Sequence, residues 1–251
     1  MGTTETPWIA HRTVKPRARI RLLCFPYAGS GASIYRTWGE ELPDTVEICP
    51  VQLPGRENRY REPAYSRFEP LIEALCDGLK PLLEFPYALF GYSMGAFIAF
   101  ELARKLRRRG DCGPKRLFIS ARRGPRLADT RQAISDLPDA EFIQQLATYE
   151  GTPKDIIKDP EIMAFYLSTL RADFRLCETY KYVPGELLNC PLSVYGGCDD
   201  ASLTHQDIQA WNIETTSSCA IKLFNGGHFF IHSCRTALLQ SLAGELSSTV
   251  S

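Results

Sequence analysis

The residues Gly91-Tyr92-Ser93-Met94-Gly95 carry the pattern G-x-S-x-G, which places a serine on a tight turn between a strand and a helix. The flanks supply that context. Tyr87 to Phe90 is a short apolar, partly aromatic run behind Pro86 and reads as a buried strand. From Ala96 to Arg109, the residues Phe97, Ile98, Leu102 and Leu106 share one helical face. Lys105 and Arg107 to Arg109 fall in the last turn, and Gly110 follows as a stop. Such a turn strains the serine backbone, uses small Gly91 and Gly95 for close packing, and points the hydroxyl outward at the helix N-terminus. The chemistry it suggests is attack on an acyl carbon.

A free hydroxyl is a poor nucleophile near neutral pH, so Ser93 needs a base, and the base an orienting acid. The chain has four histidines. His11 precedes the first plausible strand, and His205 lies in a stretch that reads as helix or loop. His228 follows the strand Ala220 to Phe224 through the flexible turn Asn225-Gly226-Gly227. A loop after a late strand suits the base, so His228 leads, with His232 the alternative. The acid should end an earlier strand. Leu192 to Tyr195 reads as that strand and runs into Gly196-Gly197-Cys198-Asp199-Asp200. Spacing leaves Asp199 and Asp200 both open, although burying both beside each other is unfavourable.

An oxyanion needs two donors. One is the N–H of Met94, the residue after the serine, and the other comes from a loop after an early strand. Arg19 to Phe25 reads as that strand and ends in Pro26-Tyr27-Ala28-Gly29-Ser30-Gly31. A phosphate cradle is the competing reading of this loop. Ile34 stands where a dinucleotide fingerprint needs its last glycine, and no P-loop lysine follows. The Ala28 N–H is therefore the expected second donor, ahead of Tyr27.

The elements that must position these groups alternate strand and helix up to Ala121 and again from Leu192. This predicts an α/β fold, a mostly parallel central sheet flanked by helices, in a single domain over residues 1–251. Residues before Arg17 read as a loose arm. Between the strands lies a helical interval. Phe142, Ile143, Leu146 and Tyr149 have helical spacing after Asp139, with Gly151 beyond. Asp159-Pro160-Glu161 is a strong helix start, followed by Ile162, Tyr166, Leu170 and Phe174 in steps of four.

Lys plus Arg and Asp plus Glu both number 29, so no global field favours nucleic acid or a membrane surface. No apolar run approaches the roughly 20 residues of a membrane span. There is no secretory apolar region near the N-terminus, and Met1 to Thr6 matches a myristoylation pattern only loosely. The nine cysteines include no C-x-x-C pair or zinc spacing. They read as reduced, mostly buried small hydrophobes of a cytoplasmic protein, with no metal or organic cofactor expected.

From Leu22 to the C-terminus the chain resembles the type II thioesterases of nonribosomal peptide and polyketide assembly lines, and the related medium-chain thioesterase of animal fatty acid synthesis. The resemblance is carried by Cys24-Phe25-Pro26-Tyr27-Ala28-Gly29, Leu53-Pro54-Gly55-Arg56-Glu57 and Phe90-Gly91-Tyr92-Ser93-Met94-Gly95. Further pieces are Gly151-Thr152-Pro153, Leu170-Arg171-Ala172-Asp173-Phe174 and Gly226-Gly227-His228-Phe229. It implies an α/β-hydrolase fold with residues 122–182 as a helical lid insertion. It also implies Ser93 as nucleophile, Asp200 (rather than Asp199) as acid, His228 as base, and the Met94 and Ala28 N–H groups as oxyanion hole. The substrate it implies is an acyl thioester on the phosphopantetheine of an acyl or peptidyl carrier protein, cleaved by a monomer to clear stalled or aberrant chains. A medium-chain acyl thioesterase, a small-molecule carboxylesterase and a non-catalytic carrier-binding module are the alternatives. Arginine-rich stretches at 104–109 and 116–126 could face an acidic carrier, or could be a solvated helix end and loop. Tyr27 and Tyr92 stand where many relatives carry histidine, and Cys198 where an acidic residue is common.

Overall fold

The computed structural model describes residues 6–149 and 159–249. Among them, six strands form one sheet in the order β2-β1-β3-β4-β5-β6. They are β1 (Ile20–Phe25), β2 (Val46–Pro50), β3 (Tyr87–Tyr92), β4 (Leu117–Ser120), β5 (Leu192–Gly197) and β6 (Cys219–Phe224). Every pairing is parallel, so all six carboxyl ends share one edge. The first central strands are buried on both faces. Leu23 and Phe25 of β1 join the core on one side, while Ile20, Leu22 and Cys24 join the other. β2 and β6 are the edge strands; β2 is buried along its length, whereas in β6 only Phe224 is buried.

Helices cover both faces. On one side, α2 (Phe68–Leu83) and α3 (Met94–Arg109) bury Leu75, Leu79, Phe97 and Phe100. On the other, a short helix Trp38–Glu41 and the final helix Arg235–Thr249 bury Trp38, Leu238, Leu242 and Leu246. Gly110 ends α3 in the left-handed conformation, at φ 76°, as a C-terminal stop requires.

The chain order reverses around β1. The strand runs out to β2 and returns to β3, so loops after β1 and β3 diverge at this point of the edge. Parallel sheets of this kind bind ligands at such a reversal. Phe25 pairs with Gly91, which puts the start of the Pro26–Gly31 loop beside Ser93.

Between β4 and β5 lie the helices Asp139–Leu146 and Pro160–Glu178. Asp159 caps the second, its Oδ1 accepting from the N–H groups of Glu161 and Ile162. The row Ile162, Tyr166, Leu170, Phe174 is not one buried stripe, because Ile162 is 40% and Tyr166 36% exposed. Steps of four residues overshoot a turn by about 40°, so the row drifts about 120° across its length. Met163, Leu170 and Leu176 are the apolar residues buried instead. Gly151-Thr152-Pro153 lies outside the described residues.

Within the described part of the segment before Arg17, Trp8 and Ile9 are anchored on the domain, contrary to a reading as a loose arm. Trp8 is buried, its indole occupying the space a Cβ on Gly78 would need, with the Arg59 guanidinium 4.5 Å above the ring. Ile9 bridges Val51. The cysteines carry no disulfide, but only Cys24, Cys49, Cys76 and Cys190 are buried, and Cys112 and Cys198 are exposed.

The glycines separate two kinds of backbone demand. A Cβ on Gly91 would lie 2.2 Å from the Gly95 carbonyl oxygen, which is backbone and cannot move aside. Gly244 is exposed in the last helix and a Cβ there meets nothing within 4 Å. Gly91→Ala is expected to lower stability by at least about 1–3 kcal/mol, whereas Gly244→Ala raises it by about 0.5–1 kcal/mol. Urea unfolding of both variants checks the pair.

Candidate active site

Ser93 is the residue between β3 and α3, at φ 52° and ψ −109°. A non-glycine residue there is strained by about 1–3 kcal/mol. Neighbours over-determine it. The Ser93 N–H donates to the Ser120 carbonyl at 2.8 Å. A Cβ on Gly95 would come within 2.2 Å of the Phe25 carbonyl, so the small residue lets the helix start sit against the end of β1.

Ser93, His228 and Asp200 lie in one chain of hydrogen bonds. His228 Nε2 is 3.1 Å from Ser93 Oγ, and His228 Nδ1 is 2.8 Å from Asp200 Oδ2. The Asp200 side chain is nearly inaccessible, at 1% exposure. Burial pushes its carboxyl up, but bonding and charge from His228 outweigh that, helped by the N–H and hydroxyl of Ser202 on Oδ1 at 2.9 and 2.6 Å, so it sits below its ordinary value. A carboxylate kept ionised beside Nδ1–H leaves Nε2 as the free acceptor facing Ser93.

The adjacent aspartate does something else. Asp199 is exposed, its Oδ2 accepts from the Gly226 N–H at 3.2 Å, and its own N–H donates to the Gly226 carbonyl at 3.0 Å. It ties the loop after β5 to the loop carrying His228. A Cβ on Gly197 would meet the carbonyls of Gly226 and Gly227 at 2.5 Å, so glycine there lets the two loops touch. His11, His205 and His232 are placed elsewhere. His11 lies 3.9 Å from Glu57, His205 bonds Gln209, and His232 bonds the Tyr27 hydroxyl at 3.0 Å.

Tyr92, the second residue of the serine motif, was not legible as part of the site. Its hydroxyl donates to the His228 carbonyl at 2.5 Å and accepts from the Ile231 N–H at 3.3 Å. It thereby pins the loop that carries the imidazole. A tyrosine inside an otherwise apolar strand end was the only available signal. Nothing in the structure explains Cys198 in place of an acidic residue.

The loop holding Ala28 is braced from two directions. Gly29, at φ 79°, donates its N–H to Asp173 Oδ2 at 2.7 Å. Asp173 and Arg56 form a bidentate pair with both contacts at 2.7 Å, and both are buried. Arg56 also donates to the Ser30 carbonyl at 3.0 Å. Glu57 accepts from the Ser33 N–H at 3.2 Å and hydroxyl at 2.5 Å. The segment Leu53 to Glu57 thus shapes the loop after β1, and helix Pro160–Glu178 clamps it. The Ala28 N–H donates to no group among the described residues. The Met94 N–H opens α3, where a helix provides no acceptor for it. Both remain available to a ligand oxygen.

A cavity of about 150 Å³ opens beside Ser93 and His228, walled by Ala28 and by Leu146, Tyr149, Leu170 and Phe174 of the helical connection. Of the arginines at 122, 123 and 126, Arg122 lines this cavity, whereas Arg123 and Arg126 line a neighbouring one. Arg122 is buried, Arg123 pairs with Asp129 with its side chain 12% exposed, and Arg126 pairs with Glu214 at 2.7 Å. Arg122 packs against Phe97 and Arg126 against Tyr182, and the Arg126 side chain stays 39% exposed.

The arrangement combines a serine hydroxyl in reach of an imidazole, two N–H donors and a cavity of mixed apolar and charged lining, which suits acyl transfer. The thioesterase domain family matches residues 20–246. The gramicidin S biosynthesis protein GrsT of Aneurinibacillus migulanus is 37% identical, with 95% of this chain and 93% of that protein covered. Among solved structures, the RedJ thioesterase of the prodiginine pathway in Streptomyces coelicolor is 40% identical with a TM-score of 0.84, covering 91% of this chain and 86% of its own. The type II thioesterase BorB of the borrelidin cluster is 34% identical with a TM-score of 0.86, covering 97% and 98%. The α/β-hydrolase architecture expected from the sequence is the one these neighbours share.

Two outcomes follow from the geometry. Asp200→Asn is expected to lower thioester hydrolysis by about 10³–10⁴ through loss of the correct tautomer, and Asp199→Asn far less; the reverse ranking in steady-state kinetics contradicts these contacts. Arg56→Met leaves Asp173 buried without its counter-charge and should cost about 3–5 kcal/mol. Adding Asp173→Leu should recover much of that stability in denaturant titration, without restoring turnover, because the Gly29 N–H then loses its acceptor.

Proposed function

Because this chain belongs to the thioesterase domain family, a family of thioester hydrolases, we propose that it is a type II editing thioesterase that uses Ser93 as its nucleophile. The observation that carries the serine mechanism is the unbroken contact from Asp200 through His228 to Ser93 at the mouth of the cavity. The substrate is an acyl group held as a thioester on the phosphopantetheine of an acyl or peptidyl carrier protein. Relatives named for nonribosomal peptide and polyketide pathways support that choice.

In this mechanism Ser93 Oγ attacks the thioester carbonyl while His228 Nε2 takes its proton. The developing oxyanion is met by the N–H groups of Ala28 and Met94; one such donor is worth about 10²–10³ in rate. The C–S bond breaks and the imidazolium returns its proton to the thiolate. Water then gives a proton to His228 as it attacks the acyl-serine, and collapse releases the acid and restores the serine hydroxyl. Asp200 stays ionised and stabilises the imidazolium in both halves. Residues 122–182 act as the lid that keeps bulk water from the acyl chain. The protein works as a monomer in the cytoplasm.

Purified protein is expected to remove acetyl or longer acyl groups from a phosphopantetheinylated carrier domain, seen as a mass loss on the carrier. Ser93→Ala should reduce this by about 10³-fold or more while thermal unfolding stays unchanged. A fluorophosphonate should label Ser93; labelling of a different serine with Ser93 untouched would rule out this nucleophile. A steep preference for medium-chain fatty acyl groups, or for oxygen esters over thioesters, would replace the editing role by one of the alternatives.

A further inference from the structure

The cavity beside Ser93 is walled by four permanently charged or acidic side chains, Arg122, Asp129, Arg131 and Glu178. Three of them are satisfied within the protein. Asp129 pairs with Arg131 at 3.0 Å and with Arg123. Glu178 accepts from the N–H groups of Ile134 at 2.7 Å and Ser135 at 3.2 Å. Arg122 differs. It is 6% exposed, and among the described residues its guanidinium has neither a carboxylate partner nor a hydrogen-bond acceptor. Its Nε is sealed from solvent without a partner. The group lies against the Phe97 ring, 4.1 Å from its centre.

A guanidinium does not escape this position by losing its proton, because its affinity for the proton is too high. Burial pushes Arg122 below its ordinary value, yet the group remains a cation. A buried cation without a counter-group is unfavourable, and such groups normally face a ligand or a partner. The backbone that bears it is fixed, since the Arg122 carbonyl accepts from Trp211 Nε1 at 2.8 Å and Ala121 before it is held at φ 51°. Arg122 therefore stands on the wall of the cavity that also holds Ser93 and His228, at its border with a neighbouring cavity lined by Phe97, Arg126 and Tyr182. The pantetheine arm must run outward to the carrier, so the part of the substrate left to meet a nearly inaccessible group is the acyl chain.

We propose that Arg122 forms an oxygen-recognition subsite for the acyl chain, selecting substrates that carry a carbonyl or carboxylate oxygen beyond the thioester group. Leu146, Leu170 and Phe174 supply the apolar surface for the rest of the chain. The subsite rests on the thioesterase reading above and narrows it from acyl groups in general to oxygenated ones. A saturated chain of equal length leaves the guanidinium unsatisfied and forfeits a charge-assisted hydrogen bond.

Matched N-acetylcysteamine thioesters test it: butanoyl against 3-oxobutanoyl, hexanoyl against 5-oxohexanoyl, and pentanoyl against succinyl. The readout is the ratio of kcat/KM within each pair. At least one oxygenated member is expected to be preferred about tenfold or more, and the pair that shows it identifies the oxygen and its depth. Arg122→Met should bring that ratio close to one, and Arg122→Gln, which keeps a donor, should give an intermediate ratio. The same pairs are titrated against Ser93→Ala protein, whose dissociation constants report the subsite without turnover. If no thioester is hydrolysed but the binding preference is present, the catalytic reading fails and the subsite stands. Equal binding and turnover across every pair, or a preference that survives Arg122→Met, overturns the subsite.

Discussion

Ser93 is held at φ 52° and ψ −109°, and much of the architecture around it serves to keep it there. The conformation costs about 1–3 kcal/mol and persists only if the surroundings leave no alternative. The parallel sheet provides the first restraint, by fixing the ends of β1, β3 and β4 in register around the turn. Glycines provide the second, since the contacts at Gly91 and Gly95 exclude a Cβ. With the serine locked at the edge, loops after β1, β5 and β6 need only bring one backbone N–H, one carboxylate and one imidazole to it. They do so from strand ends that all face the same way.

Those loops are not rigid by length alone, and each is tied by a polar contact. Asp199 and Gly226 join the acid loop to the imidazole loop, and Tyr92 holds the latter from beneath. The loop after β1 depends on the buried Arg56–Asp173 pair. Such a pair adds little net stability over apolar residues of the same volume. Its value here is directional, because Asp173 spends a second lone pair on the Gly29 N–H and thereby orients the backbone next to Ala28. The same carboxylate belongs to the helix that walls the cavity. The loop after β1 and the cavity wall are consequently one mechanical unit.

The distribution of charge along the cavity follows a similar logic. The arginines at 122, 123 and 126 look like one cluster when read in order, but each meets a different neighbour. Asp129 compensates Arg123, and the buried Glu214 with the Tyr182 ring compensates Arg126. Arg122, beside the cavity that holds Ser93 and His228, has no carboxylate or hydrogen-bond partner among the described residues.

How much of this was legible beforehand depends on the range of the interaction. Local signals were reliable: the strand, serine turn and helix around Ser93, the Gly110 stop, and the Asp159 cap each rest on residues within one or two turns of each other. Parallel α/β topology followed from alternation alone, and the motif resemblance narrowed the chain to a thioesterase. Spacing left Asp199 and Asp200 equivalent, because one residue of register reverses which side chain faces inward, and only packing of two loops distant in sequence assigns the contacts. The N-terminal arm was misjudged for the same reason, as the pocket that holds Trp8 is made by Gly78 and Arg59. The sequence by itself determined the elements, their order and the residue types available for acyl chemistry, since these depend on local periodicity and short motifs. Tertiary structure alone decided which carboxylate meets the imidazole, what braces the Ala28 loop, and which arginine faces the cavity, because those outcomes depend on contacts between residues far apart in the chain.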